Sequence, residues 1–214
     1  MQVEIWSDVI CPWCYIGKRR FAMALDNFAH KDSVNVIWRS FELDPKSPSR
    51  YPATLEETLA RKYGVSLQEA AAMSARVTAV AKEVGLDYHL NKARPGNTFD
   101  AHRLLHFAAS RQLSEQSMER LMQAYFCEAL AIGDRAALAR VATEFGINEN
   151  DALAMLESDA YCDAVRADEA RAAKLGIAGA PHFLIDDKLG ISGAQSVEEF
   201  LEALQKAWAE RNIA

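Results

Sequence analysis

The chain has 214 residues, of which half are hydrophobic and a quarter charged, and its formal net charge at pH 7 is -6. This composition is that of a folded globular protein, and the length allows a small domain that carries a second folded segment. The acidic balance offers no basic field to phosphate backbones, so we expect no nucleic-acid partner.

The sequence also argues against membrane association. No stretch approaches the roughly 20 consecutive apolar residues of a membrane span, and residues 1–8 carry no basic leader. We therefore expect a cytoplasmic location. Four cysteines are too few for a disulfide scaffold, so the spacing of Cys11 and Cys14 has to decide between a catalytic and a metal-binding role.

The first part of the chain predicts a βαβ unit. Residues 3–6 alternate as in a strand, and Pro12 suits the first turn of a helix that runs to about residue 28. Residues 34–39 are rich in β-branched and aromatic side chains and form the second strand. Because such crossovers are right-handed in nearly all sheets, we expect a parallel pair with the helix packed on it.

The next part predicts a helical insertion. After a loop that begins near Pro45 and contains three prolines, the chain becomes rich in Ala, Glu, Leu and Arg. Helix starts are marked by two capping boxes and one acidic cap: Thr54 with Glu57, Ser66 with Glu69, and Asp134. Helix ends are marked by three glycines: Gly64, Gly85 and Gly146.

Strand character returns only near the C-terminus. Residues 182–185 and a short segment near residues 190–192 predict a hairpin, and Ser196 with Glu199 caps a last amphipathic helix. Joining this ββα segment to the opening βαβ segment gives one α/β sheet with a parallel and an antiparallel half. The predicted divisions are residues 1–44, the insertion 45–176, and residues 177–214.

Cys11 and Cys14 carry the main chemical signal. Two cysteines three apart at a helix start lie on one face, close to the Cα separation of about 5.5 Å that a disulfide prefers. Cys11 would occupy the cap position, where free backbone N–H groups and the helix dipole favour a thiolate. Cys11 is therefore predicted to be the nucleophile and Cys14, one turn further on, the resolving thiol.

Zinc binding is the main structural alternative for the cysteine pair. His102 and His106 lie four apart on a predicted helix and could complete a Cys₂His₂ set, although far more residues separate the pairs than in zinc fingers. Ordinary core and surface histidines are the other interpretation. Cys127 and Cys162 have no partner nearby in sequence and are interpreted as incidental thiols, so no metal is predicted.

A small-residue loop precedes the late hairpin. Pro181 follows Gly179 and Ala180 and stands directly before the strand at residues 182–185. A cis X–Pro bond would be useful at such a point, although an ordinary trans turn fits the same pattern.

Residues 7–18, with the sequence SDVICPWCYIGK, together with Gly179-Ala180-Pro181 resemble the DsbA-like thioredoxin superfamily, specifically its FrnE-like branch. The resemblance covers essentially the whole chain and implies a thioredoxin fold interrupted by an all-helical domain. It implies that Cys11 attacks, that Cys14 resolves, and that Pro181 lies in a cis-proline loop that receives an extended substrate. Residues implied to contact substrate are Pro12, Trp13 and Ala180, with Asn97 and His102 in a segment that lines the cleft in the family.

One departure from the family bears on the redox potential. DsbA itself has histidine where this chain has Trp13, and that histidine helps to stabilise the thiolate. We therefore expect a less oxidising couple, in a cytoplasmic thiol–disulfide oxidoreductase acting on protein or small-molecule disulfides. No bound cofactor is expected, and glutathione could serve as reductant or co-substrate. The alternative is a glutathione-dependent enzyme related to 2-hydroxychromene-2-carboxylate isomerase and kappa-class glutathione transferases, which use serine at the position of Cys11.

Overall fold

The structure is a computed structural model that describes residues 1–211. Its strands are β1 Gln2–Ser7, β2 Asn35–Ser40, β3 His182–Ile185 and β4 Leu189–Ser192. Its α-helices are α1 Pro12–Asp26, α2 Leu55–Tyr63, α3 Leu67–Glu83, α4 Phe99–Ala109, α5 Ser114–Glu128, α6 Arg135–Ala142, α7 Glu149–Glu157, α8 Cys162–Lys174 and α9 Val197–Arg211. Across these residues, no helix is both long enough and apolar enough to cross a membrane.

The chain folds into two compact units. Met1–Leu43 and the chain from Asp168 onward form the sheet unit, and Asp44–Ala167 form the helical unit. This is the α/β thioredoxin fold with a helical insertion that the sequence predicts, but the second unit boundary falls inside α8 and not at residue 176. The reason is that Asp168 accepts hydrogen bonds from Arg39 and the Ser40 backbone, and Ala172 packs beside Trp6.

The sheet has the strand order β2-β1-β3-β4. β1 runs parallel to β2 and antiparallel to β3, and β3 runs antiparallel to β4. The register places Trp6 opposite His182 and Ser7 opposite Ser40. β1 is thus an inner strand, and its pairing with β3 joins the two separate parts of the sheet unit.

One face of this sheet is apolar. Val3 and Ile5 of β1 are fully buried and join a cluster with residues of α1, β3 and α9. The ring of Phe183 lies 5.4 Å from that of Phe21 and 4.6 Å from that of Phe200, measured between centroids. Aromatic pairs at these separations stabilise a core beyond the area they bury, so this contact fixes α1 and α9 on the sheet.

The opposite face carries a buried charge. Glu4 alternates with Val3 and Ile5 along β1, and its carboxylate accepts hydrogen bonds from Arg39 at 2.7 Å and from Arg171 of α8 at 2.6 Å. Burial acts to raise the pKa of Glu4, but these hydrogen bonds outweigh it and hold the pKa below its ordinary value. The α8 side of the sheet unit is therefore held partly by ion pairs.

The helical unit confirms the helix starts that the sequence predicts. Thr54 and Ser66 each accept a hydrogen bond from the backbone of the glutamate three residues later, which bonds back to the cap residue. Asp134 likewise accepts from the Ala137 backbone at 3.0 Å. Such caps satisfy backbone N–H groups that a helix leaves free at its first turn.

Candidate dithiol site

The site begins at the first turn of α1. Cys11 is the cap residue, with an extended backbone (φ -82°, ψ 113°), and Pro12 fills the first helical position. The Cys11 carbonyl accepts hydrogen bonds from the backbone N–H of Cys14 at 3.0 Å and of Tyr15 at 3.4 Å. Because Cys11 is the cap residue, its side chain stands at the positive end of the helix dipole, and it makes no capping hydrogen bond there.

A loop of the second half of the chain contacts Cys11. The Cys11 sulfur lies 3.5 Å from the carbonyl oxygen of Ala180, to which its thiol donates, and the Ala180–Pro181 peptide bond is cis. The Pro181 carbonyl accepts from the Gly193 backbone at 2.8 Å. Residues 11 and 180–181, far apart in sequence, therefore form one site within the sheet unit.

Gly17 allows the helix and the proline loop to approach. A Cβ atom at this position would lie 3.2 Å from Cγ of Pro181, which is tighter than nine in ten real contacts, and 3.4 Å from Cβ of Ala194. Arg20 holds the segment that follows β4 by donating to the Ala194 carbonyl at 2.7 Å. A glycine inside an otherwise regular helix is the sequence signal that could have revealed this close approach.

Cys14 lies deeper than Cys11. Cys14 is 1 % exposed, and Cys11 is 4 % exposed. Burial, followed by its neighbour Cys11, raises the pKa of Cys14 well above its ordinary value, while the Ser7 side chain and the Asp8 backbone act to lower it. Cys14 is therefore a thiol at neutral pH in the reduced protein. Both cysteines are free in this structure.

The other sequence-predicted residues fall in both units. Trp13 is 43 % exposed beside the cysteines, and Pro12 is partly buried. In the helical unit, the Asn97 side chain accepts from the Phe99 backbone at 2.9 Å and so shapes the start of α4, and His102 is buried within that helix. A role in substrate contact stays a prediction for these residues.

The remaining histidines and cysteines give no metal cluster. Within residues 1–211, no group of three or more His, Cys, Asp or Glu side chains is arranged to hold a metal ion. The ring of His106 is stacked against that of Tyr161, with 6.5 Å between the ring centroids. Cys127 and Cys162 are both partly buried and free, and burial followed by nearby acidic groups raises the pKa of Cys127.

A thioredoxin fold whose helix α1 begins at a CxxC dithiol facing a cis-proline defines the class of protein to which this site belongs. Residues 2–205 match the DSBA-like thioredoxin domain model, and the chain belongs to that family.

Individual relatives match the chain over nearly its whole length. A probable DsbA oxidoreductase from Streptomyces coelicolor is 42 % identical, with a TM-score of 0.94 over 98 % of this chain and 91 % of that one. The uncharacterised protein YwbO from Bacillus subtilis is 27 % identical over 95 % of this chain and 96 % of its own. A 2-hydroxychromene-2-carboxylate isomerase is 13 % identical and shares the fold, with a TM-score of 0.70 over 100 % of this chain and 98 % of that one.

Proposed function

We propose that this protein is a thiol–disulfide oxidoreductase in which Cys11 is the attacking thiolate and Cys14 the resolving thiol. The observation that carries the proposal is the asymmetry of the pair at one helix terminus. Cys11 occupies the cap beside Pro181, whereas Cys14 is more deeply buried and its pKa is raised. A thiol that stays protonated does not attack first, since the thiolate is the nucleophile.

The reaction proceeds by two exchanges. The Cys11 thiolate attacks one sulfur of a substrate disulfide, which forms a mixed disulfide and releases the other substrate sulfur as a thiolate. Cys14 then attacks the Cys11 sulfur, the Cys11–substrate bond breaks, and the proton lost by Cys14 balances the one that the departing thiol gains. Two electrons pass from the dithiol to the substrate, and the reverse sequence oxidises a substrate dithiol.

Substrate contact is proposed at the loop that faces Cys11. Ala180 and Pro181 present their backbone beside the sulfur, and the exposed indole of Trp13 offers an apolar surface next to it. We propose disulfide-containing proteins or small thiols as substrates, glutathione as one candidate reductant, and the cytoplasm as the location. With Trp13 in place of histidine, stabilisation of the thiolate rests on the helix terminus, which favours a less oxidising couple than DsbA.

Insulin reduction tests this proposal. With dithiothreitol as reductant, the protein should increase the rate at which an insulin solution becomes turbid, and Cys11→Ser should abolish that increase. Cys14→Ser should accumulate a mixed disulfide with substrate, visible as added mass. The double variant Cys127→Ser, Cys162→Ser is the matched control and should retain full activity. Loss of activity in this control would contradict the assignment of the redox pair.

The same proteins separate this proposal from the glutathione-dependent alternative. If the protein isomerises 2-hydroxychromene-2-carboxylate with glutathione, and Cys11→Ser retains that turnover while insulin is not reduced, the dithiol mechanism is wrong. A dithiol enzyme should give the reverse pattern. The presence of Cys14 favours the dithiol mechanism, because glutathione activation needs no second protein thiol.

A further inference from the structure

Arg20 lies on α1, about two and a half turns beyond Cys11. Its guanidinium donates to the Ala194 carbonyl at 2.7 Å, in the segment of residues 193–195 that follows β4. Both ends of this hydrogen bond belong to the sheet unit, although 174 positions separate them in sequence. The two thiol exchanges use no guanidinium, so any contribution of Arg20 to them passes through the segment that it holds.

The segment that follows β4 also holds Pro181. Gly193 stands directly before the residue that Arg20 contacts, and its backbone N–H donates to the Pro181 carbonyl at 2.8 Å. The segment is braced internally, because the backbone N–H of Gln195 donates to the Gly193 carbonyl at 3.1 Å. This segment therefore forms a short connection from Arg20 to the proline loop, residues 179–181.

Helix α1 also contacts the proline loop and the segment after β4 directly. A Cβ atom at Gly17 would lie 3.2 Å from Cγ of Pro181 and 3.4 Å from Cβ of Ala194, so the helix surface lies against both residues. At the start of the same helix, the Cys11 sulfur lies 3.5 Å from the Ala180 carbonyl oxygen. The helix that carries the attacking sulfur is therefore also the support of the loop that contacts this sulfur.

We propose that Arg20 is a positioning residue that fixes the proline loop relative to Cys11 for substrates with an extended chain. The inference rests on the proposed function and deepens it, because it concerns how the same site selects its substrates. A chain that lies on the loop brings its disulfide to Cys11 only as accurately as the loop itself is placed, and small errors in the placement of reacting atoms slow a reaction strongly. A disulfide without a flanking chain should not depend on Arg20.

The experiment compares two mixed disulfides of 2-nitro-5-thiobenzoate, one with the cysteine of a short uncharged peptide and one with free cysteine. In each, the Cys11 thiolate attacks the cysteine sulfur and forms a disulfide with it, and the coloured nitrothiobenzoate leaves with the electron pair of the broken bond. The full reduced protein, with Cys127→Ser and Cys162→Ser to remove the other thiols, reacts with an excess of each conjugate in a stopped-flow instrument. The ratio of the two second-order rate constants is the peptide preference.

Wild type should prefer the peptide conjugate. In Arg20→Ala, the rate constant for the peptide conjugate should fall about fivefold, as for the loss of one hydrogen bond, while that for the cysteine conjugate stays within about twofold. Arg20→Lys keeps a donor and should restore most of the preference. Lys31→Ala removes the same charge from an exposed pair with Asp26 and should change neither rate constant. A role of Arg20 in stability alone would not separate the two conjugates.

Gly17→Ala tests the same support if Arg20→Ala does not fold. Its methyl group would press on Pro181 while the hydrogen bond of Arg20 remains, so the peptide preference should fall here too. A wild type without peptide preference, an unchanged preference in these variants, or an equal loss for both conjugates would overturn the role of Arg20 while the dithiol mechanism stands. If Cys11→Ser releases nitrothiobenzoate as fast as the protein that has Cys11, the proposed function itself fails.

Discussion

Each unit buries a charged side chain, and the two are stabilised in different ways. Glu4 in the sheet unit is shared by the guanidinium groups of Arg39 and Arg171, which reach it from β2 and α8. Arg103 in the helical unit pairs with Asp100 at 2.6 Å. It also donates to four backbone carbonyls near the end of α7: those of Met155, Leu156, Ser158 and Ala160.

The difference lies in what each charge requires of the rest of the chain. The carboxylate of Glu4 depends on particular arginines placed far away in sequence. The guanidinium of Arg103 uses backbone carbonyls in the last turn of α7 and just beyond it, at the helix end where the dipole also favours a positive charge. The ion pairs of Glu4 therefore depend on particular side chains, whereas most partners of Arg103 are supplied by the backbone.

The largest effect on stability is expected from Arg103→Met. The change removes the guanidinium donor from four backbone carbonyls and a charge from a side chain that is 2 % exposed, so unfolding should become easier by roughly 3–5 kcal/mol. Urea denaturation at pH 7 measures it. Arg135→Met is the matched control, because Arg135 pairs with the same Asp100 but is 50 % exposed, and its loss should cost about 0–1 kcal/mol. Equal losses in the two variants would remove the distinction between the buried guanidinium and the exposed one.

A smaller effect is expected from Glu4→Gln, because Arg39 and Arg171 keep Asp168 and Asp187 as partners. The loss of charge-assisted hydrogen bonds should cost about 2 kcal/mol at pH 7. The pKa of Glu4 is lowered on folding, so its ion pairs contribute stability above the unfolded pKa, and that contribution is lost as the pH falls through the folded pKa.

The difference in the free energy of unfolding between Glu4→Gln and wild type should therefore become smaller in acid. Urea midpoints at pH 7 and near pH 3 measure this stability difference. It should be smaller near pH 3 because that pH lies below the ordinary glutamate pKa of about 4.3 in the unfolded chain. A difference that stays constant with pH would show that lost packing, and not the ion pairs, accounts for the destabilisation.

The smallest effect is expected at an exposed helix start. Thr54→Ala removes the hydroxyl that accepts from the Glu57 backbone at 3.2 Å and should destabilise the protein by about 1 kcal/mol. Thr58→Ala makes the same chemical change one turn later, where the hydroxyl donates only to a carbonyl of the helix, and should change stability by less than about 0.5 kcal/mol. Urea denaturation of the two variants side by side tests whether capping, and not the loss of any threonine, matters.

Local features of the fold could be predicted from the sequence. The capping boxes at Thr54 and Ser66, and the helix that begins directly after Cys11, depend on residues within one turn of each other. The hairpin at residues 182–192 is likewise local. Local chemistry of this kind leaves a short pattern in the sequence, and the structure confirms it.

Several features that depend on contacts between distant residues could not be predicted from local patterns. The ion pairs of Glu4 join residues separated by 35 and 167 positions, and the hydrogen bond from Arg20 to the Ala194 carbonyl joins residues 174 positions apart. The unit boundary inside α8 is set by Asp168, whose partners lie 128 and 129 residues earlier. The sequence pattern of α8 does not show which part of the helix packs against which unit. The predicted end of the helical insertion was therefore residue 176.

The strand order β2-β1-β3-β4 has a consequence for the growing chain on the ribosome. β1 and β2 are synthesised within the first 40 residues, but the strand that covers the second edge of β1 begins only at His182. The entire helical unit, Asp44–Ala167, is translated in between. Throughout that interval one edge of β1 has open backbone groups next to the cysteines, and an exposed strand edge is a template for pairing with other chains. The nascent polypeptide therefore has both cysteines of the dithiol site long before the proline loop that will contact Cys11.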